Sequence, residues 1–366
     1  MLRVRLSLIL LVVLGTWLAD QKSKTDPVVR DHDAVPITFA TQDIAEYAPE
    51  WLGGIHICHI LSDGTHFKDL VIYGNDPSFS SDGSQIAFVE GGKKEPTQLF
   101  VMNADGANKK TLTHGNLWIR LPAWSPDAKQ LAFIGLQSSP HSDSFDAGLY
   151  VVNVDGTDMR RLTDKPIAAA WSPVGKPLSF VTPNTANQQS YTVRHTDENM
   201  LQLNDLALGT PAWSPDGKWL AFTALDGKSA EIFLLDTATL GVHQVTHLQG
   251  ASTSPTWSPN GKEIAFAFDD SQSSRIFVTN ADGSNPRELL SSKFTHFYEP
   301  SWSPNGIEIA ATAERNIGNP QTKKHAVGPV AYRRIVIFNR QTLSVTRLID
   351  RSAGHPSFAQ SHERRN

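Results

Sequence analysis

Five acidic residues, Glu90, Asp226, Asp269, Asp270 and Glu314, stand at the ends of apolar runs that read as β-strands. A basic group, Arg315, Lys323, Lys324, His325, Arg333 and Arg334, falls in the stretch from Glu314 to Arg334. Acids at one rim with bases above them could recognise a charged partner through complementary potentials. Taken singly, each reads as a solvated loop charge. Other chemistry finds less support. His56 and His59 are three apart in a run that reads as strand, so their rings leave opposite faces and cannot hold one metal. Cys58 is the single cysteine, which rules out an intrachain disulfide and a cysteine-based zinc cluster; it reads as a small buried hydrophobe. The 13 histidines form no His-x-x-x-His helix site, and no glycine-rich phosphate loop leads from a strand into a helix. Several Asp-Gly pairs invite a calcium reading. An EF-hand needs oxygen ligands at alternate positions across about twelve residues, and no such loop occurs. No metal and no cofactor is expected.

A repeat positions these charges. Its unit is P-x-W-S-P-[DN]-G-K-x-[IL]-A-F, then a variable gap, an apolar run ending in N-x-D-G, and R-x-L-T. Copies begin at Pro77, Pro122, Ala169, Pro211, Pro255 and Pro300. Their aromatic marks, Phe79, Trp124, Trp171, Trp213, Trp257 and Trp302, are 45, 47, 42, 44 and 45 residues apart. A period of that length belongs to four-stranded propeller blades. Within a unit, Leu131 and Phe133, Leu220 and Phe222, and Ile264 and Phe266 share one strand face. Asp-Gly or Asn-Gly at 82–83, 216–217, 260–261 and 305–306 predicts tight hairpins, because the turn needs positive φ. A second set at 63–64, 105–106, 155–156 and 282–283 closes the outer hairpin. One sheet cannot bury its own face, so each large aromatic is expected to pack against the following blade.

Upstream of these copies lies a partial unit. Residues 37–40 mimic the I-A-F strand and 55–70 the outer hairpin, but its first strand is missing. The H-P-S-F of 355–358 resembles the D-P-S-F of 76–79. The strand around Phe358 is therefore expected to complete the first blade, close the ring and remove both edges. This predicts one all-β propeller over 36–361 with seven four-stranded blades, followed by a tail at 362–366. Six blades with the N-terminal stretch docked outside is the alternative.

The chain has 366 residues, 40% hydrophobic and 19% charged, as in a globular protein rather than a disordered one. With 33 Lys+Arg against 37 Asp+Glu there is no basic excess to hold a phosphate backbone, so no nucleic-acid partner is expected. Arg3 and Arg5 precede an uncharged apolar stretch at 6–19, which reads as a signal peptide or an uncleaved signal anchor. A polar linker follows at 20–35. The expected location is periplasmic or extracellular, with membrane contact only through that stretch if it is not cut.

The string P-A-W-S-P-D-G-K-x-[IL]-A-F, with N-x-D-G and R-x-L-T after it, resembles the WD-like repeat of the TolB-like β-propeller family over roughly residues 36–361. Propellers of prolyl oligopeptidase-type enzymes are more distantly similar. The resemblance implies the propeller fold. The family's N-terminal α/β domain is not expected in the short polar stretch before residue 36. No G-x-S-x-G motif follows the repeats, so a peptidase role is not expected either. In a blade of alternating strands the loops sort to two faces. The tight first-to-second and third-to-fourth turns form a face that reads as scaffold. The variable connections, longest at 135–148 and 314–334, form the other, where binding is expected. The function expected is a non-enzymatic scaffold that binds a cell-envelope protein, or a glycan, through that variable face. The alternative is a secreted carbohydrate-active enzyme, a lyase or hydrolase, with a site at the channel mouth built from several blades.

Overall fold

A computed structural model describes residues 13–14, 36–42, 55–61, 68–72, 74–91, 95–138, 145–164, 166, 168–183, 191–195, 207–227, 229–292, 295–316 and 331–347. They form an all-β propeller with no helix among them. Seven antiparallel meander sheets follow one another along the chain, six with four strands and one with three. The first contains Val13–Leu14, Pro36–Gln42, Ile55–Leu61 and Lys68–Ile72. The second contains Gly74–Phe79, Gln85–Glu90, Gln98–Asn103 and Lys110–Thr111. The third runs through Trp118–Trp124, Gln130–Ser138, Phe145–Asn153 and Arg160–Asp164. The three-stranded fourth has Ala168–Ser172, Gly175–Pro183 and Tyr191–His195. The fifth has Ala207–Trp213, Trp219–Asp226, Ser229–Asp236 and Val242–Gln244. The sixth has Ala251–Trp257, Glu263–Asp269, Ser274–Asn280 and Arg287–Leu290. The seventh has His296–Trp302, Glu308–Asn316, Ala331–Asn339 and Ser344–Arg347. Each sheet's first strand touches the first strand of the next, and Val13–Leu14 touches both Gly74–Phe79 and His296–Trp302, so the contacts run round a ring.

The innermost place in the first sheet differs from expectation. Val13 and Leu14 fill it, opposite Thr38 and Ile37. The stretch 355–361, including Phe358, lies outside the described residues. An open inner edge accepts any short extended apolar segment, and L-V-V-L has the β-branched character that suits it.

The repeat motif is a set of turn and packing devices. The serine of W-S-P-D-G donates its hydroxyl to the turn acid or amide: Ser80 to Asp82 at 2.6 Å, Ser125 to Asp127 at 2.7 Å, Ser214 to Asp216 at 2.7 Å, Ser258 to Asn260 at 2.8 Å and Ser303 to Asn305 at 2.6 Å. The same serine oxygens accept the amide five residues on, and the same Asp or Asn oxygens accept the amide two residues on. Only the glycine of the dipeptide is left-handed, at φ 69, 70, 68 and 70° for Gly83, Gly217, Gly261 and Gly306. The turn is therefore a longer one latched by side chains, not the two-residue hairpin loop the dipeptide suggested. These aspartates are occupied by N–H and O–H donors, which is what their recurrence is for.

The indoles lock sheet to sheet, and in the direction opposite to expectation. Each donates its N–H to a carbonyl of the preceding sheet: Trp124 to Ser78 at 2.9 Å, Trp171 to Ala123 at 3.1 Å, Trp213 to Ala170 at 3.2 Å, Trp257 to Ala212 at 3.1 Å and Trp302 to Thr256 at 3.2 Å. The rings follow: Trp257 packs with Ala221, Ile232 and Leu234 of the fifth sheet, and Trp302 with Ala265 and Val278 of the sixth. Side chains in a strand alternate between faces, so the face carrying the indole is fixed by register, and here it looks back. The threonine at the place of R-x-L-T has a local task as well: in K-T-L-T at 110–113 and H-Q-V-T at 243–246, the hydroxyls of Thr113 and Thr246 accept the amides of Leu99 and Ile232 at 2.9 and 2.8 Å.

Candidate binding surfaces

The second-to-third hairpins carry the acidic candidates, and the structure distributes them over several sheets. Glu90 ends its strand opposite Gln98 and forms an ion pair with Lys109, whose ammonium lies 4.6 Å above the Phe100 ring. Asp226 is exposed opposite Ser229, beside Gly227 at φ 64°. Asp269 accepts the Ser271 amide at 2.7 Å and the Ser274 hydroxyl at 2.6 Å. Asp270 accepts the amides of Gln272 and Ser273 at 2.9 and 3.0 Å, which hold its carboxyl below the usual carboxylate range. It also pairs with Arg275, whose other nitrogen reaches Glu288 at 3.1 Å.

The basic candidates fall partly within the described residues. Arg333 and Arg334 stand opposite Glu314 and Ala313, and Arg315 opposite Tyr332. Lys323, Lys324 and His325 lie outside. Glu314 also stands opposite His296. His296 is a residue the sequence analysis did not single out. Its Nδ1 accepts the Ser274 amide at 3.2 Å and its ring stacks on Tyr298 at 6.3 Å, so it joins the sixth sheet's hairpin to the seventh sheet's inner strand. Its sequence signal is weak, since the third sheet's first strand also begins with a ring, Trp118. Among the described residues no three His, Cys, Asp or Glu side chains come together as a metal would require.

The inner strands kink near the ring centre. Asp76, Leu121, Ser254 and Glu299, each just before a proline, have φ of 49, 51, 54 and 51° at or beside register slips. Asp76 is buried and accepts the Leu121 amide at 3.0 Å. Desolvation pushes its carboxyl up, against that bond and the Arg120 charge.

A concave site lies on the opposite face, the one read as scaffold. A cavity of about 540 Å³ opens between the fifth and sixth sheets, lined by both sets of tight turns. Pro215, Asp216 and Trp219 form one side with His243; Trp257, Gly261, Ala281 and Asp282 form the other. The Trp219 and His243 rings meet edge to face at 5.3 Å. Bonds from the Ser214 and Ser284 hydroxyls hold Asp216 and Asp282 below the usual carboxylate range, so both rim groups are anionic at neutral pH. No single copy of the motif displays this site, because its walls come from two repeats. Its visible signal is Trp219, where other copies have Gln85, Gln130, Glu263 and Glu308.

Residues 196–347 match the family model described as the TolB beta propeller domain. An uncharacterized peptidase, YuxL of Bacillus subtilis, is 27% identical over 200 residues, 42% of this chain and 30% of that protein. The Tol-Pal system protein TolB of Ruthia magnifica is 27% identical over 155 residues, 40% of this chain and 34% of that protein. The match thus spans about a third of each relative's length. Among solved structures, the propeller domain of the trilobed protease from Pyrococcus furiosus superposes with a TM-score of 0.62 at 11% identity, covering 88% of this chain and 96% of that one. That likeness supports the fold.

Proposed function

We propose that this TolB-like β-propeller is an exported, non-enzymatic scaffold that binds a cell-envelope protein through the face carrying its second-to-third hairpins. The observation that carries the proposal is the ion-pair chain at the sixth sheet's second-to-third hairpin, beside charged residues of both signs at the strand ends of the seventh. Asp270, Arg275 and Glu288 form one chain of ion pairs, and Glu314 stands across from Arg333 beside Arg334. Pre-positioned charges of both signs on a rigid frame suit recognition of a charged protein surface. The indole bonds between sheets supply the frame. Export rests on Arg3, Arg5 and the apolar stretch at 6–19, which would give up its Val13–Leu14 pairing in the first sheet when it serves export. The likeness to a Tol-Pal system protein favours an envelope partner.

The test is capture from a cell-envelope extract by the purified chain and by the double variant Arg333→Glu with Arg334→Glu. The proposal expects a protein retained at least tenfold less by the variant, and less by the wild type as salt rises. Equal retention by both would refute the assignment to this face. Turnover of polyuronides would instead favour a carbohydrate-active enzyme, and capture of a glycan alone would change the ligand class.

A further inference from the structure

Among the described residues the crevice between neighbouring sheets on the tight-turn face has counterparts at other sheet pairs, so equivalent positions can be compared. One wall carries the residue opposite Val101, Val151, Leu234 or Val278 on the outer strand: Lys110, Arg160, His243 and Arg287 respectively. The other wall carries the next sheet's indole and the residue after its third strand. In the fifth-to-sixth crevice that residue is Ala281, after Asn280; in the sixth-to-seventh it is Arg340, after Asn339.

The chain's own cations cross two of these crevices. Between the second and third sheets, Lys110 Nζ donates to the Asp155 carbonyl at 2.9 Å. Between the sixth and seventh, the Arg340 guanidinium lies 4.8 Å over the Trp302 ring and donates to Glu263 at 2.9 Å and to the Gly306 carbonyl at 3.4 Å. Arg287 pairs with the same Glu263. Between the fifth and sixth sheets each of the charged groups is replaced. Trp219 stands for Glu263, His243 for Arg287 and Ala281 for Arg340, while Trp257 and Gly261 keep the places of Trp302 and Gly306. What remains is the cavity of about 540 Å³, a size at which pockets take small ligands or peptide side chains. Lys218 reaches Asp216 at 3.6 Å but is 76% exposed and does not line it.

We propose that this crevice binds an arginine side chain of a protein partner, its guanidinium taking the place that Arg340 fills one sheet further on. Trp257 is the ring platform and the Gly261 carbonyl an acceptor, as Trp302 and Gly306 are for Arg340. Asp216 and Asp282 supply the negative charge that Glu263 supplies there, and Trp219 and His243 cover the aliphatic stem. A guanidinium suits this set because it is planar, stacks on indole and donates in several directions. The site is on the face opposite the charged hairpins and stands or falls independently of them.

The test is titration of the full chain with acetyl-Gly-Arg-Gly-amide, following indole N–H resonances by NMR, with the Trp219 signal assigned from Trp219→Gln. The proposal expects a saturable shift of the Trp257 and Trp219 signals. Replacing the peptide's arginine by citrulline should weaken binding at least tenfold, and lysine should fall between. Ala281→Arg fills the crevice from within, so it should abolish the shift while the thermal midpoint is held or raised. An unshifted Trp257 signal, equal binding of the citrulline peptide, or full binding by a folded Ala281→Arg protein would each overturn the proposal. The chain's own Arg364 and Arg365 are a rival occupant. If Arg364→Ala with Arg365→Ala alone shifts the Trp257 signal and tightens the peptide's binding, the site serves the tail and not a partner.

Discussion

Trp257 and Trp219 flank the same crevice but hold different stakes in the fold, and substituting each separates packing from recognition. Trp257 is 7% exposed, shares a buried cluster with Ala221, Ile232, Leu234 and Val245 and donates to Ala212 at 3.1 Å. Trp257→Ala removes the whole ring from a packed interface and is expected to cost about 3–5 kcal/mol. Trp257→Phe keeps much of the ring but leaves the Ala212 carbonyl without the indole N–H, for about 1–2 kcal/mol. Trp219 is half-buried, and Gln85 and Gln130 occupy its position in other sheets, so Trp219→Gln should cost under about 1 kcal/mol. Urea unfolding followed by far-ultraviolet circular dichroism ranks the three, read as midpoint shifts at constant slope. A Trp257→Phe protein no less stable than Trp219→Gln would refute the idea that indole bonds lock neighbouring sheets.

Further outcomes follow from the same geometry. Gly283 has φ 83° and a Cβ there would sit 2.5 Å from the Val245 carbonyl oxygen, whereas at Gly261 the nearest atom is 3.6 Å away. Gly283→Ala should therefore lower the thermal midpoint more than Gly261→Ala, which meets only the left-handed strain. Asp82, Asp127 and Asp216 are held below the usual carboxylate range by serine hydroxyls and backbone amides. Their contribution is present above that range and is lost as pH falls through their folded values. Replacing all three by Asn, the residue that makes the same bonds at Asn260 and Asn305, should flatten the thermal midpoint between about pH 2 and 5. Asp76 has the opposite sign: burial raises it, so its ionisation in the fold is penalised once pH passes the unfolded value. Asp76→Asn should stabilise the protein at pH 7 and change nothing below the carboxylate range, as paired thermal melts would show.

The repeat makes most of the frame legible in the sequence. The period located the sheets, and the glycines at 83, 217, 261 and 306 are left-handed as the turn chemistry requires. In the third sheet's turn Ala128 takes that conformation at φ 54°, because the serine–aspartate latch at Ser125 and Asp127 holds the turn without a glycine. Three features were not legible. The indoles pack backward, a matter of which strand face meets which neighbour, and the motif alone does not carry that. Val13–Leu14 enters the first sheet because an edge position selects for extended apolar sequence rather than for a motif. The crevice between the fifth and sixth sheets depends on a missing side chain at Ala281 and on ring-for-ion exchanges at Trp219 and His243. Those stand out only when equivalent positions are compared across sheets. The charged candidates were readable as loop-end residues, but their partners were not, since Arg275 reaches Asp270 from the following strand.

Site-specific photocrosslinking tests the proposed function most directly. A photoreactive side chain at Ser271, in the sixth sheet's second-to-third hairpin, is compared with one at Lys262 on the tight-turn face, each in cells with an intact envelope. A protein adduct is expected from position 271, and it should disappear when Arg333→Glu and Arg334→Glu are added. Adducts from position 262 alone, or an adduct from 271 indifferent to those charge reversals, would contradict it.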